Sequence, residues 1–174
     1  MKLRLRLLLL ILLSLFRAKQ PMSHVSRLKL RVWPVDVDIR KVNIERFFAF
    51  GDLGWASMLM DWGIFRQILT SRYAPFGKCL SLSVKGPLWL FQRFEIQTTI
   101  IWCDHYWVYA EQQFLAKGQI VAISVIKGGV LQEGRLLKVK EWMPRAEDIA
   151  LLDKPDLVEL YQRTEKAMWR ATRI

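Results

Sequence analysis

An α+β domain, an antiparallel sheet of about five strands wrapped around one long helix, is the fold class this chain predicts. Three observations carry that expectation. Apolar and polar residues alternate at period two in successive segments between Leu80 and Leu131; apolar residues recur at spacings of three and four between Phe47 and Leu69; and an alternating segment, Leu28-Lys29-Leu30-Arg31-Val32-Trp33, precedes both. With 174 residues, 52% of them hydrophobic and eight Trp and nine Phe among them, the chain can fill one ordinary core and is not disordered in the main. The predicted division is a membrane-associated segment over 1–20, the α+β domain over 26–143 and a C-terminal helical extension over 144–174.

Met1 to Arg17 reads as a basic leader, Lys2, Arg4 and Arg6, followed by an apolar run from Leu7 to Phe16 that only Ser14 interrupts. At about 1.5 Å per residue this run covers roughly half of a ~30 Å hydrocarbon layer, so it predicts a helix lying in or dipping into a membrane rather than a firm span. A secretory signal peptide also fits the leader, but Arg17-Ala18-Lys19-Gln20-Pro21 lacks a small-x-small cleavage pattern, and its basic residues oppose translocation. The expectation is an uncleaved anchor with the domain on the cytoplasmic face, an ordinary core helix being the alternative.

Pro34 ends the first strand, and the helix is expected to run from Asn43 or Glu45 to about Ser71. Gly51 and Gly54 each cost ~1 kcal/mol in an exposed helix, so their presence predicts that a sheet or partner backbone comes close. Four strands follow, at about Leu80–Lys85, Arg93–Trp102, Tyr106–Ala116 and Gln119–Leu131, with Cys103-Asp104-His105 and Lys117-Gly118 as tight connections. Pro155 is placed to start a helix over Asp156–Arg170.

The net charge of +11 is concentrated at one end: the first 35 residues hold eight basic side chains and no acid. A near-neutral body without RNP-like or zinc-finger patterns argues against nucleic acid as partner. Cys79 and Cys103 belong to no CxxC cluster and read as reduced, buried thiols; with His24 and His105 the only histidines, neither a metal site nor a cofactor is expected.

The segment Trp33-Pro34-Val35-Asp36-Val37-Asp38-Ile39-Arg40-Lys41-Val42-Asn43 sets two carboxylates one residue apart before a helix start, where free N–H groups and positive potential favour chemistry. Together with Arg46-Phe47, Gly51-Asp52-Leu53-Gly54, Phe91-Gln92-Arg93-Phe94-Glu95, Trp102-Cys103-Asp104 and Tyr109-Ala110-Glu111-Gln112, it resembles the hotdog-fold thioesterases over about Leu28 to Leu131. The likeness is closest to the thioesterase-superfamily-member-6-like branch of the 4-hydroxybenzoyl-CoA thioesterase group.

The resemblance implies acyl-CoA as substrate and a homodimer or dimer of dimers with sheets side by side and the acyl-CoA cleft between protomers. It also implies Asp38 as base or nucleophile on the thioester, Asp36 as its supporting neighbour and Asn43 at the oxyanion-binding helix start. Phe47, Phe48, Asp52 and Trp55 are the helix's candidate substrate-binding residues. Where the family reads Asp-x-Asp-x-Asn-x-His-x-Asn-Asn, this chain has Arg40 in place of Asn and no His, and Arg40 and Lys41 are expected to pair with Asp38 and keep it ionised.

Bland readings stand beside these: Asp36 or Asp38 as a cap or an Arg40 partner, Asn43 as a plain N-cap, Phe47, Phe48 and Trp55 as core, and Asp61 on a solvated helix face. The functional alternatives are an acyl-CoA thioesterase and a non-catalytic hotdog module that binds acyl groups or a membrane partner. A dehydratase-type hotdog lacks a suitably placed His.

Overall fold

The computed structural model describes residues 2–14, 19–21, 24–143 and 153–171. Helix α1 (Lys2–Ser14) leads to strand β1 (Ser26–Arg31), a 3-10 turn (Pro34–Asp36) and helix α2 (Ile44–Asp61). A short helix α3 (Phe65–Thr70) precedes strands β2 (Tyr73–Val84), β3 (Arg93–Cys103), β4 (Val108–Ala116), β5 (Gln119–Gln132) and β6 (Arg135–Leu136). Helices α4 (Val139–Trp142) and α5 (Asp156–Ala171) close the chain. The end of the apolar run beyond Ser14, and residues 144–152 of the expected C-terminal extension, lie outside the described residues.

The strands form one antiparallel sheet in the order β1-β3-β4-β5-β2, with β6 added to the end of β5. Period two sets its two faces. Phe94, Ile96 and Thr98 of β3, Ala110, Gln112 and Phe114 of β4, and Ala122 and Ser124 of β5 are buried on the face that receives α2. Phe50 and Leu53 of α2 pack with Phe94, Ile96, Leu28 and Val32 there, and Met58 and Leu59 with Ile100, Val108 and Val130. This is the α+β layout expected, with two corrections to its boundaries.

The single long helix is two. Trp62 and Gly63 turn the chain after Asp61, Gly63 at φ +73, a conformation glycine adopts without steric cost. The apolar spacing continues across the break because Trp62, Ile64 and Ile68 all face the same core. Asp61, expected on a solvated face, is buried and accepts a hydrogen bond from the Ser26 hydroxyl at 2.5 Å. Strand β2 starts at Tyr73 rather than Leu80; Pro75 and Gly77, which read as a break, are tolerated because β2 is an edge strand.

α5 lies on the opposite face of the sheet, where Val158 and Tyr161 pack with Tyr109 and Val125. The Tyr161 hydroxyl donates to Val125 O at 3.3 Å, and Gln162 donates to the Tyr109 hydroxyl at 2.7 Å. α1 packs through Leu10, with Leu7 and Ile11 beside it, and leaves Leu5, Leu8, Leu9, Leu12 and Leu13 exposed. Among the described residues no helix is long and apolar enough to cross a membrane.

Candidate active site

The chain between β1 and α2 folds back twice. Trp33 is extended, Pro34 opens the 3-10 turn, and the Asp36 carboxylate accepts from Trp33 N at 2.8 Å and from the Arg6 guanidinium at 2.5 Å. Asp36 is 4% exposed. Its Oδ2 therefore ties α1 to the loop, and Asp36, expected as the supporting neighbour of Asp38, is engaged here by Arg6 and Trp33. An antiparallel bridge between Val37 and Val42 then pinches the loop. Val42 N donates to Leu88 O and Leu90 N donates to Arg40 O, both at 2.9 Å, so the segment over 88–90 braces it from outside.

The pinch projects Asp38, Ile39, Arg40 and Lys41 into solvent. Asn43 joins the loop to the helix. Its side-chain oxygen accepts from Arg46 N at 3.0 Å, capping α2, while its Nδ2 donates to both Asp38 oxygens at 3.3 and 3.2 Å. One amide thus holds a carboxylate beside a helix N-terminus, whose remaining first-turn N–H groups have no intrahelical acceptor. Among the described residues neither Arg40 nor Lys41 pairs with Asp38; both are exposed, and the Asn43 amide takes the place expected of them. Asn43→Ala should lower stability by about 1 kcal/mol through loss of the cap and release Asp38 from its orientation, read by urea denaturation.

From that start an open stripe runs along α2. Ile44, Phe48 and Asp52 are exposed and Trp55 half-buried, at helical spacings of four, four and three. Three of the four expected substrate-binding residues lie on it. Phe47 does not: it is fully buried, edge-on to Phe114 at 5.4 Å between ring centres. Desolvation raises the Asp52 carboxyl above the usual range. Trp55 lies over Gly128 of β5, where an added Cβ would stand 3.4 Å from its ring.

Sequence reasoning missed Ile39, 85% exposed, together with Ile44 and Trp89. The spacing of Ile44 from Phe48 was its signal. Trp89 pairs with Lys41 across the brace, and Phe91, at φ +62, meets the exposed Trp33 edge-on at 6.5 Å. That conformation is uncommon for a bulky side chain and aims an aromatic at the loop's flank. Burial, then the Asp104 charge, pushes the Cys103 thiol up to about 11, so it remains protonated at neutral pH and is no nucleophile. His105 sits in the β3–β4 turn beside Tyr106 and His24 ahead of β1, neither on the Asp38 loop.

A curled antiparallel sheet around a central helix is the hotdog architecture of thioesterase-type domains. The family model of the thioesterase-like superfamily matches residues 32–147, and the chain belongs to that family. It is similar to the protein THEM6 of Drosophila melanogaster, 26% identical over 129 residues. That match covers 73% of this chain and 65% of the relative, so the chain spans less than two thirds of that relative's length.

Among solved structures, a probable thioesterase from Bartonella henselae superposes with a TM-score of 0.62 at 18% identity, covering 66% of this chain and 98% of its own. A 1,4-dihydroxy-2-naphthoyl-CoA thioesterase from Synechocystis superposes with a TM-score of 0.60 at 16% identity, covering 76% and 100%. At such identities these likenesses establish the fold.

Proposed function

We propose that the protein hydrolyses the thioester of an acyl-CoA, with Asp38 as the base. Water attacks the carbonyl carbon, Asp38 takes its proton, the first-turn N–H groups of α2 stabilise the oxyanion, and the thiolate of CoA leaves as the carboxylic acid forms. Attack by Asp38 itself, followed by hydrolysis of the anhydride, uses the same geometry. The observation that carries this reading is the Asn43 amide, which caps α2 and orients Asp38 at once. Membership of the thioesterase-like family and a neighbour whose substrate is a CoA thioester support it.

The stripe of Ile44, Phe48, Asp52 and Trp55 is the surface for the acyl group, and a second protomer is its cover. β2, an edge strand of 12 residues with most side chains exposed, is suited to side-by-side pairing of sheets. α5 occupies the outer face, which favours that edge over stacking through the sheet's back. The exposed leucines of α1 and the basic residues around them support association with a membrane from its cytoplasmic face.

Hydrolysis of a series of short- to long-chain acyl-CoAs by the full chain in mild detergent tests the proposal. The full chain is the right material because Arg6 and Leu10 pack into the domain. Asp38→Asn should lower kcat about 100-fold with an unchanged melting temperature. No turnover at any chain length would sink the enzyme. Acyl-CoA binding that persists unchanged in Asp38→Asn would then favour the non-catalytic module, a reading supported by the absence of histidine from the Asp38 loop.

A further inference from the structure

β1 sends Leu28 and Leu30 toward the core and Arg27, Lys29 and Arg31 to the outer face. Its register with β3 sets Arg31 directly across from Arg93 and Lys29 across from Glu95. Like charges directly opposite one another repel and destabilise an antiparallel pair. Among the described residues Lys29, Arg31, Arg93 and Lys117 have no ion pair, while Glu95, the one acid among them, is shared by Arg27 at 3.7 Å and Gln97 at 2.8 Å. The fold thus holds two guanidiniums and two ammonium groups around a single carboxylate, Glu95, which is already engaged by Arg27 and Gln97, and it leaves the Arg31–Arg93 pair without a counter-charge of its own.

A cavity of about 700 Å³ opens among these cations, with Leu9, Trp33 and Phe94 supplying apolar wall. A second cleft, of about 280 Å³, shares Arg6, Leu9, Lys29 and Leu30 with the first and continues between α1 and β1 past Leu10, Leu13 and Leu28. Beyond it lies the uncovered leucine face of α1, Leu5, Leu8 and Leu12 each more than half exposed. A basic mouth therefore leads into an apolar trough that ends on an apolar helix face.

We propose that this surface docks on an anionic bilayer, with a lipid phosphate held between Arg31 and Arg93 and the acyl chains passing along the leucines of α1. Planar guanidiniums suit phosphate oxygens, and one phosphate turns the Arg31–Arg93 repulsion into a bridge. The surface dictates an orientation: the β1 edge of the sheet and α1 lie against the membrane. The inference rests on the membrane association proposed above and adds to it the class of lipid and the residues that select it.

Flotation of the full chain with vesicles of phosphatidylcholine alone, and with about one part in five phosphatidic acid, tests it. At roughly fivefold per cation near an anionic surface, the acid lipid should raise partitioning of the wild type by at least tenfold, less at high salt. Arg31→Glu with Arg93→Glu should lose that rise and keep wild-type binding to phosphatidylcholine. Arg31→Gln with Arg93→Gln, which removes charge without adding any, should lose most of it. Leu8→Asn with Leu12→Asn should lose binding to both vesicles.

No rise for the wild type, or a full rise in the charge-reversed variant, overturns the proposal while membrane association stands on the phosphatidylcholine arm. Failure of the wild type to bind either vesicle removes membrane association as well. Binding of free CoA that depends on Arg31 and Arg93, without any acid-lipid rise, would reassign the cluster to a soluble phosphate ligand and overturn the lipid.

Discussion

Gly54→Val should destabilise the domain by about 3–5 kcal/mol, combining overpacking with stranded buried polar groups. Gly54 sits where α2 crosses the sheet. A Cβ there would stand 2.9 Å from Gln112 Nε2 and 3.0 Å from both Ile96 Cγ2 and Thr98 Oγ1. Gln112 cannot simply swing away. Fully buried, its Nε2 donates to Gly51 O at 2.8 Å and its Oε1 accepts from the Ser124 hydroxyl at 3.1 Å. Displacing the amide leaves those groups unpaired in the core.

Gly54→Ala makes the sharper test. In an exposed helix it would stabilise by ~1 kcal/mol, whereas here it should destabilise. Gln112→Ala combined with Gly54→Ala should recover part of the loss, a coupling that a urea-denaturation cycle reads directly. A stabilising Gly54→Ala would show that the helix stands off the sheet and that the close approach is wrong.

That close approach was legible because two glycines within one turn weaken an otherwise good helix unless a neighbour occupies the space their side chains would fill. The sheet was legible for a similar local reason, since alternation at period two runs through β3 and most of β4, where one face is the more deeply buried. What was hidden lay in contacts between distant residues. Asp36 and Asp38 look alike in sequence, yet Arg6, 30 positions away, takes Asp36 and leaves Asp38 to Asn43. Asp61 looked solvated because nothing nearby announces that Ser26, 35 positions back, will meet it. Phe47 and Phe48 are neighbours in a helix that has one buried and one open side, so only one of them can serve the stripe. The helix start behind Asp38 is encoded by local pattern, and α2 begins there, at Ile44 with Asn43 as its cap.

Glu165→Gln should cost about 3 kcal/mol and loosen α5 from the sheet, because it leaves a buried ammonium without its counter-charge. Lys127 on β5 donates to Glu165 at 2.6 Å, and Lys78 pairs with the other carboxylate oxygen at 3.0 Å. The register of β2 against β5 shifts between Gly77 and Cys79, and the extra residue is Lys78. That bulge brings Lys78 to the face of Lys127, so both ammonium groups lie over the Trp107 ring, at 4.8 and 5.3 Å. Burial alone would raise the Glu165 carboxyl, but the hydrogen bonds from Lys127 and Lys78 outweigh it and hold it below the usual range. Burial alone would lower the Lys127 ammonium, but the Glu165 hydrogen bond and Tyr109 outweigh it and hold it above its usual value.

The two signs fix the pH window. A depressed carboxyl contributes stability that is complete above its unfolded value and lost as pH falls through the folded one. A raised ammonium contributes stability that is complete below its unfolded value and lost as pH rises through the folded one. The difference between wild type and Glu165→Gln should therefore be flat between about pH 6 and 9 and shrink below about pH 4, followed by tryptophan fluorescence of thermal or urea unfolding. An unchanged midpoint would show that α5 is held by Val158 and Tyr161 without the ion pair. Lys127→Met with Glu165→Leu should separate the cost of an unpaired charge from the worth of the pair: apolar side chains of similar length avoid the desolvation that the pair must offset, so the double variant should recover most of the stability that Glu165→Gln loses.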